Sequence, residues 1–247
     1  RMIVLLCVFT LAVTALAGCG KQSDKKNGGS EGQKSDSEIV CYVGNGFWDG
    51  PLDPTKGFLS YGWGFINEPL ICVNENSQYA ADLATEWEVS EDALTYTFKL
   101  REGVKFHDGS DFTAEDVVFT YETVKENQAD NESVDLSLLD KAEAVDDYTV
   151  KFTLSEPNST FFDGVAQLGI VPSDAYDEKT FGDAPIGTGA WKFLQLDTDQ
   201  QLIVEANEDY FDGAPEIKKV TFVSMDNEAA FSNAKSGQLD IVMVQPS

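Results

Sequence analysis

Alternating apolar and polar residues predict β-hairpins in the middle of the chain. In LTYTFKLR (94–101) every second residue is apolar, which is typical of a strand with one buried face. In VDDYTVKFTL (145–154), residues Val150, Phe152 and Leu154 fall on one face after an Asp-Asp turn. The predicted hairpins are 85–89 with 94–101, and 191–196 with 201–206 around a turn at 197–199; within 145–154 a strand is predicted after the Asp146-Asp147 turn.

Near the C-terminus the pattern changes to a strand, a helix and a second strand. Residues 217–224 and 239–244 are predicted strands, and the second is an almost continuous apolar run. Between them, residues 226–236 form a predicted helix with Asp226 as its N-cap and Gly237 just beyond its end. A strand–helix–strand unit implies parallel strands. These patterns together predict an α/β fold: a mixed sheet core that carries a hairpin-rich insertion.

The single histidine, His107, lies in LREGVKFHDGSDFTAEDVVFTYE among several acidic residues. Apolar alternation continues from the preceding strand to Phe106, and the HDGS sequence that follows is typical of a turn. Thr113 and Asp116 have the spacing of a helix capping pair, so a helix is predicted to begin there. The apolar face of this helix comprises Val117, Val118, Tyr121 and Val124.

A catalytic or metal-binding role for His107 would need partner residues that the sequence does not supply. A zinc site needs three or four ligands, and the chain has no second histidine. A serine hydrolase of the common α/β type would carry G-x-S-x-G, which does not occur. We therefore predict no metal, no cofactor and no enzyme activity. An exported hydrolase stays open as an alternative, which a cluster of Ser, His and Asp around His107 would support and a remote, exposed His107 would exclude.

Composition indicates a folded, strongly acidic protein. Hydrophobic residues make up 42% and aromatic residues 11% of the 247 residues, which is enough for a packed core. The chain has 17 Lys and Arg against 43 Asp and Glu, a net charge of −26. Such a charge repels phosphate groups, so nucleic-acid binding is not expected.

The first residues have the pattern of a bacterial lipoprotein signal. An apolar run from Met2 to Ala17 follows Arg1, is short for a membrane span, and ends in Leu-Ala-Gly before Cys19. An ordinary secretory signal with a chance cysteine is the alternative. Residues 1–18 are thus a predicted signal peptide, Cys19 a predicted lipidation site, and residues 19–38 a polar, Gly- and Ser-rich tether.

Two further cysteines, Cys41 and Cys72, belong to the exported part of the chain. An oxidising compartment allows a disulfide between them. Two buried thiols on strands are the equal alternative, and the sequence leaves the choice open.

A series of short motifs runs along the exported part of the chain. The longest is LTYTFKLREGVKFHDGSDFTAEDVVFTYE (94–122), and PIGTGAWKF (185–193) is a second. The others are LDP (52–54), NEPL (67–70), ATEWEVS (84–90), VDDYTV (145–150), LSEP (154–157), NEDYF (207–211) and SGQLDI (236–241). In this order the motifs resemble those of the family 5 extracellular solute-binding proteins, which are the oligopeptide-, dipeptide- and nickel-binding receptors of ABC importers. Only Ala190 and Trp191, in PIGTGAWKF, are noted as departures from the family pattern.

The resemblance implies one lobe of a class II periplasmic-binding-protein-like fold. Residues 39–247 would form the N-terminal lobe, with a core of 39–70 and 183–247 and an inserted subdomain of 71–182. Family members are longer, and a second lobe would be expected after Val244. The ligand would be enclosed when the two lobes close.

The resemblance also suggests where the ligand binds. On this lobe the Gly-rich loop after the first core strand is the best candidate for the cleft, and the end of the last strand approaches the cleft in the family. Phe47 and Trp48 could instead pack within the protein, a common role for aromatic residues. The predicted ligand-binding residues are Asn45, Gly46, Phe47, Trp48, Val244 and Gln245.

The predicted function is a monomeric, lipid-anchored receptor on the extracytoplasmic face of a bacterial membrane. It would capture short peptides and deliver them to the permease subunits of an ABC importer. Other ligands of the same family, namely a nickel chelate, haem, glutathione or an oligosaccharide, are the alternatives. A passive envelope lipoprotein, without a hinge or a ligand cleft, is a further alternative function.

Overall fold

A five-stranded sheet forms one part of the protein. The computed structural model describes residues 37–44, 50–58, 65–131, 133–198 and 200–243, and the structural statements below concern these residues. The strand order in the sheet is β11-β1-β10-β9-β8. The strands are β1 Glu38–Tyr42, β8 Trp191–Asp197, β9 Gln201–Ala206, β10 Lys219–Val223 and β11 Ile241–Val242.

Half of this sheet is parallel and half is antiparallel. β1 pairs in parallel with β10 on one side and with β11 on the other. The helix that connects β10 to β11, α3 (Asn227–Lys235), begins at the predicted N-cap Asp226. β8 and β9 form the predicted antiparallel hairpin, and β9 also pairs with β10. The predicted strand–helix–strand unit is thus confirmed, with β1 inserted between its two strands.

The last strand is shorter than the predicted 239–244. Leu239 is buried against α3 and Tyr42 and does not join the ladder. The Asp240 carboxylate accepts a hydrogen bond from the Val40 amide at 2.7 Å, so a side chain replaces one backbone partner of β1. Regular pairing therefore starts only at Ile241.

Six strands between the two ends of the chain form two smaller antiparallel sheets. A four-stranded sheet has the order β4-β5-β7-β6, and β2 pairs with β3 alone. The predicted hairpin β4–β5 is confirmed. The strand predicted within 145–154 is β7, and it pairs with β6, which the sequence pattern did not predict. The elements are β2 Ile71–Val73, β3 Tyr79–Ala81, β4 Ala84–Val89, β5 Thr95–Leu100, α1 Ala114–Glu126, β6 Leu139–Asp146, β7 Thr149–Leu154 and α2 Phe161–Val165.

The period-two pattern of β5 and β7 explains how the four-stranded sheet is covered. Phe98 and Phe152 lie on the same face and their rings pack edge to face, with Tyr121 of α1 against Phe152. All three side chains are fully buried. The opposite face carries polar residues such as Lys99 and Lys151. Helices cover only the apolar face of this sheet. The mixed five-stranded sheet, with the antiparallel sheets between its first strand and β8, confirms the predicted α/β class with a hairpin-rich insertion.

One predicted strand ends earlier than the alternation indicated. β5 stops at Leu100, and Gly103 turns the chain with φ of 76°. Val104 and Phe106 are buried in the same core, although they follow that turn. Their apolar period thus indicates burial in an irregular segment, which shares only one isolated bridge, between Lys105 and Asp111.

Candidate functional site

The carboxyl ends of the three parallel strands meet at one edge of the five-stranded sheet. Neighbours β11, β1 and β10 run in the same direction, so the segments that follow them leave the sheet on the same side. In open α/β sheets, ligands bind outside the carboxyl ends of the strands. This edge is the candidate binding site, and we refer to it as the carboxyl edge: residues 43–44, 224–227 and 243, which follow β1, β10 and β11.

A hydrogen bond across the carboxyl edge joins the end of β1 to the start of α3. Tyr42, the last residue of β1, is 1% exposed, and its hydroxyl donates to Asn227 Oδ1 at 2.8 Å. The Asp226 carboxylate accepts the Ala229 amide at 2.7 Å and caps the helix. The Met243 amide donates to the Tyr42 carbonyl, also at 2.7 Å. Three segments are therefore held together at this edge.

The predicted ligand-binding residues all belong to segments that continue from this edge. Gly44 precedes one of those segments and adopts φ of 100°, a conformation that favours glycine. Met243 precedes the other, and its side chain is 42% exposed. The residues themselves, Asn45, Gly46, Phe47, Trp48, Val244 and Gln245, and the predicted lipidation site Cys19, lie outside the described residues.

The sequence pattern did not single out Tyr42 and Asn227 as residues of the carboxyl edge. Of the described residues at this edge that are discussed above, only Asp226 could be identified from its neighbours in the sequence, because it is an N-cap residue placed directly before a helix with periodic apolar residues. Tyr42 and Asn227 are separated by 185 positions, and only the pairing of β1 with β10 brings them together.

His107 is bonded at both ring nitrogens and is half-buried. Nε2 lies 2.9 Å from the Gly189 carbonyl oxygen, and Nδ1 accepts the Gly187 amide at 3.2 Å. The ring is thus a neutral imidazole with its proton on Nε2. Burial lowers the pKa of His107 to about 4, outweighing the opposing effect of the bond to Gly189.

This arrangement leaves His107 without a free nitrogen to act as a general base. His107 does not have the exposed position that would have excluded a hydrolase outright, because its turn packs against the loop before β8. The ring connects the His107 turn to that loop, which includes Gly187 and Gly189. A Cβ at Gly187 would lie 1.9 Å from the Ile66 carbonyl oxygen, so this close approach requires glycine.

Asp53, from the LDP segment, is also structural. Its side chain is fully buried and accepts hydrogen bonds from the Thr55 amide at 2.9 Å and the Tyr176 hydroxyl at 2.9 Å. Asn131 binds the carbonyl oxygens of Pro54 and Thr55. These contacts use the polar atoms of Asp53 and Asn131, so neither is available to a ligand.

The described ranges contain neither a metal-binding cluster nor a membrane-spanning helix. Three or more His, Cys, Asp or Glu side chains nowhere come together there in a way that could hold a metal ion. None of the helices in that part of the chain has the length and apolarity needed to cross a bilayer. Cys41, on β1, is buried and Cys72, on β2, is half-buried, and they do not form a disulfide with each other. The second of the two alternatives, thiols on strands, is therefore the observed one.

Comparison with solved structures defines the class of fold. The chain superimposes on the oligopeptide-binding protein AppA of Bacillus subtilis, solved with a nonapeptide, with a TM-score of 0.72 and 27% identity. The match covers 82% of this chain and 43% of that structure. The fold is therefore that of a lobe of a periplasmic binding protein.

Sequence comparison identifies the family. Residues 78–247 match the model of the bacterial extracellular solute-binding proteins, family 5 middle. The chain belongs to this family, whose members are solute-binding proteins of ABC transporters. Two relatives are AppA of Bacillus subtilis, 29% identical over 257 residues, and heme-binding protein A of Haemophilus influenzae, 30% identical over 189 residues.

The chain spans less than half the length of these relatives. The AppA alignment covers 98% of this chain but 47% of AppA, and the heme-binding protein alignment covers 65% and 35%. The resemblance to family 5 that the short motifs indicated is confirmed.

Proposed function

We propose that this chain belongs to a receptor that captures short peptides outside the cytoplasm and delivers them to an ABC permease. The observation that carries the proposal is family membership together with a peptide-binding relative, AppA, that aligns along nearly the whole chain. The carboxyl edge supports it, since three parallel strands end there and ligands of open α/β sheets bind outside the carboxyl ends of the strands. The chain itself would bind and not catalyse.

The physical basis of peptide capture would be backbone recognition. A peptide in an extended conformation offers amide donors and carbonyl acceptors at a fixed spacing, and strand-like hydrogen bonds to them are indifferent to side chains. Closure of two lobes around the ligand would remove water and strengthen the contacts to the charged peptide termini. The segments after β1 and β11 are the proposed contribution of this chain.

The proposed ligand contacts of this chain are of two kinds. Trp48 and Phe47 would supply apolar surface, and the backbones at Asn45 and Gly46 would supply hydrogen-bonding groups. Val244 and Gln245 would offer backbone groups from the neighbouring segment. This assignment comes from the family resemblance and from the parallel pairing of β1 with β11.

The peptide assignment is tested by calorimetry on the whole receptor, including the part that aligns with the remainder of AppA. Di- to nonapeptides are titrated into wild-type protein and into Trp48→Ala. Saturable binding of some peptides, weakened by Trp48→Ala and preserved by Trp87→Phe, is the expected result. Absence of binding across the peptide set would rule out a peptide receptor.

A haem ligand is the second candidate, because heme-binding protein A is a relative of similar identity. The same purified receptor is titrated with haem and followed by its Soret absorption. Saturation by haem without any peptide binding would favour this candidate. A nickel chelate, glutathione or an oligosaccharide would be tested in the same way.

We also propose that Cys19 is lipidated and anchors the receptor as a monomer, after removal of residues 1–18. Support comes from the apolar run followed by Leu16, Ala17, Gly18 and Cys19, and from the polar tether after it. Cells that express the protein are labelled with palmitate. Incorporation should disappear in Cys19→Ser and persist in Cys7→Ser, and label in both variants would contradict the assignment. Light scattering of the purified receptor tests the monomeric state.

A further inference from the structure

The four-stranded sheet of the insertion has two edges, which are formed by β4 and β6. Along an antiparallel pair, backbone groups point alternately toward the partner strand and away from it. The Ser90 amide, directly after β4, donates to the Thr95 carbonyl of β5 at 2.9 Å, in the same register as the pairs before it. Because the direction alternates from Ser90 backward, the amide and carbonyl groups of Trp87 and Val89 point outward from the sheet.

The edge at β6 is closed by two side chains of α1. The Ala142 amide of β6 donates to Glu122 Oε1 at 3.3 Å, and Lys125 Nζ donates to the Asp140 carbonyl at 2.7 Å. A donor and an acceptor of this edge therefore have partners within the protein.

The edge at β4 has no such partners: within the described ranges, no hydrogen bond reaches the backbone amide or carbonyl of Trp87 or Val89. The strand is held at its start, where the Ala84 amide donates to the Leu70 carbonyl at 2.7 Å. Beyond that point Trp87 is half-buried, and the other residues up to Val89 are exposed. We call residues 85–89 the open edge, because an unpaired strand edge is a template for another extended chain.

One face of the open edge is apolar. The centre of the Trp87 ring lies 6.4 Å from that of Phe98 and 6.2 Å from that of Phe162 in α2, so Trp87 continues the covered face of the sheet. Val89, two positions later, points to the same side and is 42% exposed. The Phe162 ring is in turn 5.2 Å from that of Tyr79, which is also exposed. An apolar side chain placed beside Trp87 and Val89 would therefore be sheltered from water.

The other face of the open edge is acidic. Glu86 and Glu88 are exposed, and the ion pairs formed among the described residues do not include them. Lys99 lies opposite Glu86 across the β4–β5 pair, but its Nζ donates to the Thr149 hydroxyl at 2.7 Å. Charge complementarity therefore favours Lys or Arg at every second position of a partner strand.

The same carboxylates oppose the pairing of two copies of this chain. In an antiparallel pair of β4 strands centred on Trp87, Glu86 of each copy would lie opposite Glu88 of the other. Like charges directly opposite each other are destabilising, and charged residues on an edge are a common protection against self-association. The open edge therefore fits a strand of opposite charge.

We propose that the open edge binds an extended segment of a partner protein in which Lys or Arg alternates with apolar residues. The segment adds a fifth strand to the four-stranded sheet, and its backbone bonds to that of Trp87 and Val89. Its apolar side chains pack beside Trp87 and Val89, and its cationic side chains lie beside Glu86 and Glu88. The surface belongs to the insertion and is separate from the carboxyl edge.

Amide NMR of the full chain with a short synthetic peptide tests the open edge. The probe is acetyl-KVKVK-amide, whose blocked ends carry no charge and whose two valines lie opposite Trp87 and Val89 in an antiparallel pair. The amide signals of residues 85–89 should shift and saturate. At saturation the Trp87 and Val89 amides should exchange with water at least about threefold more slowly, because they gain hydrogen bonds.

Backbone pairing and charge are tested separately. N-methylation of both valines removes the donors that face the open edge, and acetyl-EVEVE-amide reverses the charge, so neither peptide should shift these signals at the same concentration. Glu86→Lys combined with Glu88→Lys should weaken binding of acetyl-KVKVK-amide at least about tenfold. Glu126→Lys combined with Glu178→Lys, which reverses two exposed charges outside the four-stranded sheet, should weaken it by no more than about threefold.

Four results would each overturn the proposal. Shifts confined to the carboxyl edge would mean that the peptide binds there instead, and equal binding by the variant with Glu86→Lys and Glu88→Lys would contradict the charge argument. A dimer of the full chain in light scattering, abolished by Val89→Lys, would assign the open edge to a second copy. The absence of any saturable shift up to about 5 mM peptide would show that the open edge does not accept a strand.

Discussion

At the residue scale, His107 shows how a chemically reactive side chain can have a purely structural role. Its ring bonds to Gly187 and Gly189, which are 80 and 82 positions away in the chain. Since both nitrogens are used and the site is half-buried, protonation would break the Nδ1 contact and place a charge in a poorly solvated position. The role of His107 is therefore to hold its turn against the loop before β8.

The stability of the protein should fall as the pH is lowered from 6.5 to 4. His107 has a folded pKa of about 4 against an ordinary value of 6.5, so the unfolded chain takes up the proton first. The contribution is complete above pH 6.5 and is worth at most about 3 kcal/mol. Urea unfolding of wild type and His107→Gln measures it, and the pH slope in this window should be shallower in the variant.

NMR of the single imidazole provides the check on that prediction. Its nitrogen signals need no assignment among several histidines. They should show a proton on Nε2 throughout the range and no midpoint above pH 5. A midpoint near 6.5 would contradict both the burial of the ring and the predicted slope.

Gly187→Ala should destabilise the protein by at least about 3 kcal/mol or prevent folding. The added Cβ would meet the Ile66 carbonyl oxygen at 1.9 Å, and a backbone atom cannot move aside as a side chain can. Gly164→Ala is the matched control, since only the Val134 Cγ1 atom lies within 4 Å, at 3.3 Å. Thermal unfolding of the two variants should separate them clearly, and equal melting temperatures would refute the close approach.

At the element scale, the start of α1 depends on one buried carboxylate. Asp116 accepts hydrogen bonds from the Thr113 amide at 2.9 Å and from the Ser173 amide and hydroxyl, both at 2.8 Å. The predicted capping pair is therefore confirmed, and the same side chain also holds a segment 57 positions away. Local capping and long-range packing coincide at this residue.

Asp116→Ala should cost about 3 kcal/mol of unfolding free energy, because the Thr113 and Ser173 donors would lose their partner in a buried site. Glu115→Ala, one residue earlier and exposed, should change stability by no more than about 0.5 kcal/mol. Urea unfolding at pH 7 measures both. A cost for Asp116→Ala as small as that of the control would show that water satisfies these donors.

At the scale of the whole molecule, charge is the dominant global property. The net charge of −26 makes the compact state repel itself, and the ion pairs between described residues are exposed ones that contribute little. Sodium chloride should therefore raise the melting temperature between 10 and about 300 mM, because it screens the repulsion. An uncharged osmolyte matched in osmolality is the control. A melting temperature that stays flat or falls with salt would contradict this account.

The local signals in the sequence predicted most of the secondary structure. The hairpins β4–β5 and β8–β9, the strand β7 and the caps of α1 and α3 follow from residues within a few positions of one another, so the pattern alone was sufficient. The exceptions, the early end of β5 and the late start of β11, occur where long-range contacts replace ladder pairing. Periodicity indicates which residues are buried, but it does not indicate which backbone partner they have.

The sequence by itself thus determined the α/β class, the hairpins, the helix starts and the family. Only the tertiary structure decided that β1 lies between β10 and β11, that Tyr42 meets Asn227, and that His107 meets Gly187. The physical reason is the same in each case. Turns, caps and strand periods arise from neighbouring residues, whereas strand order and the pairing of distant polar groups depend on which surfaces come together when the core is buried.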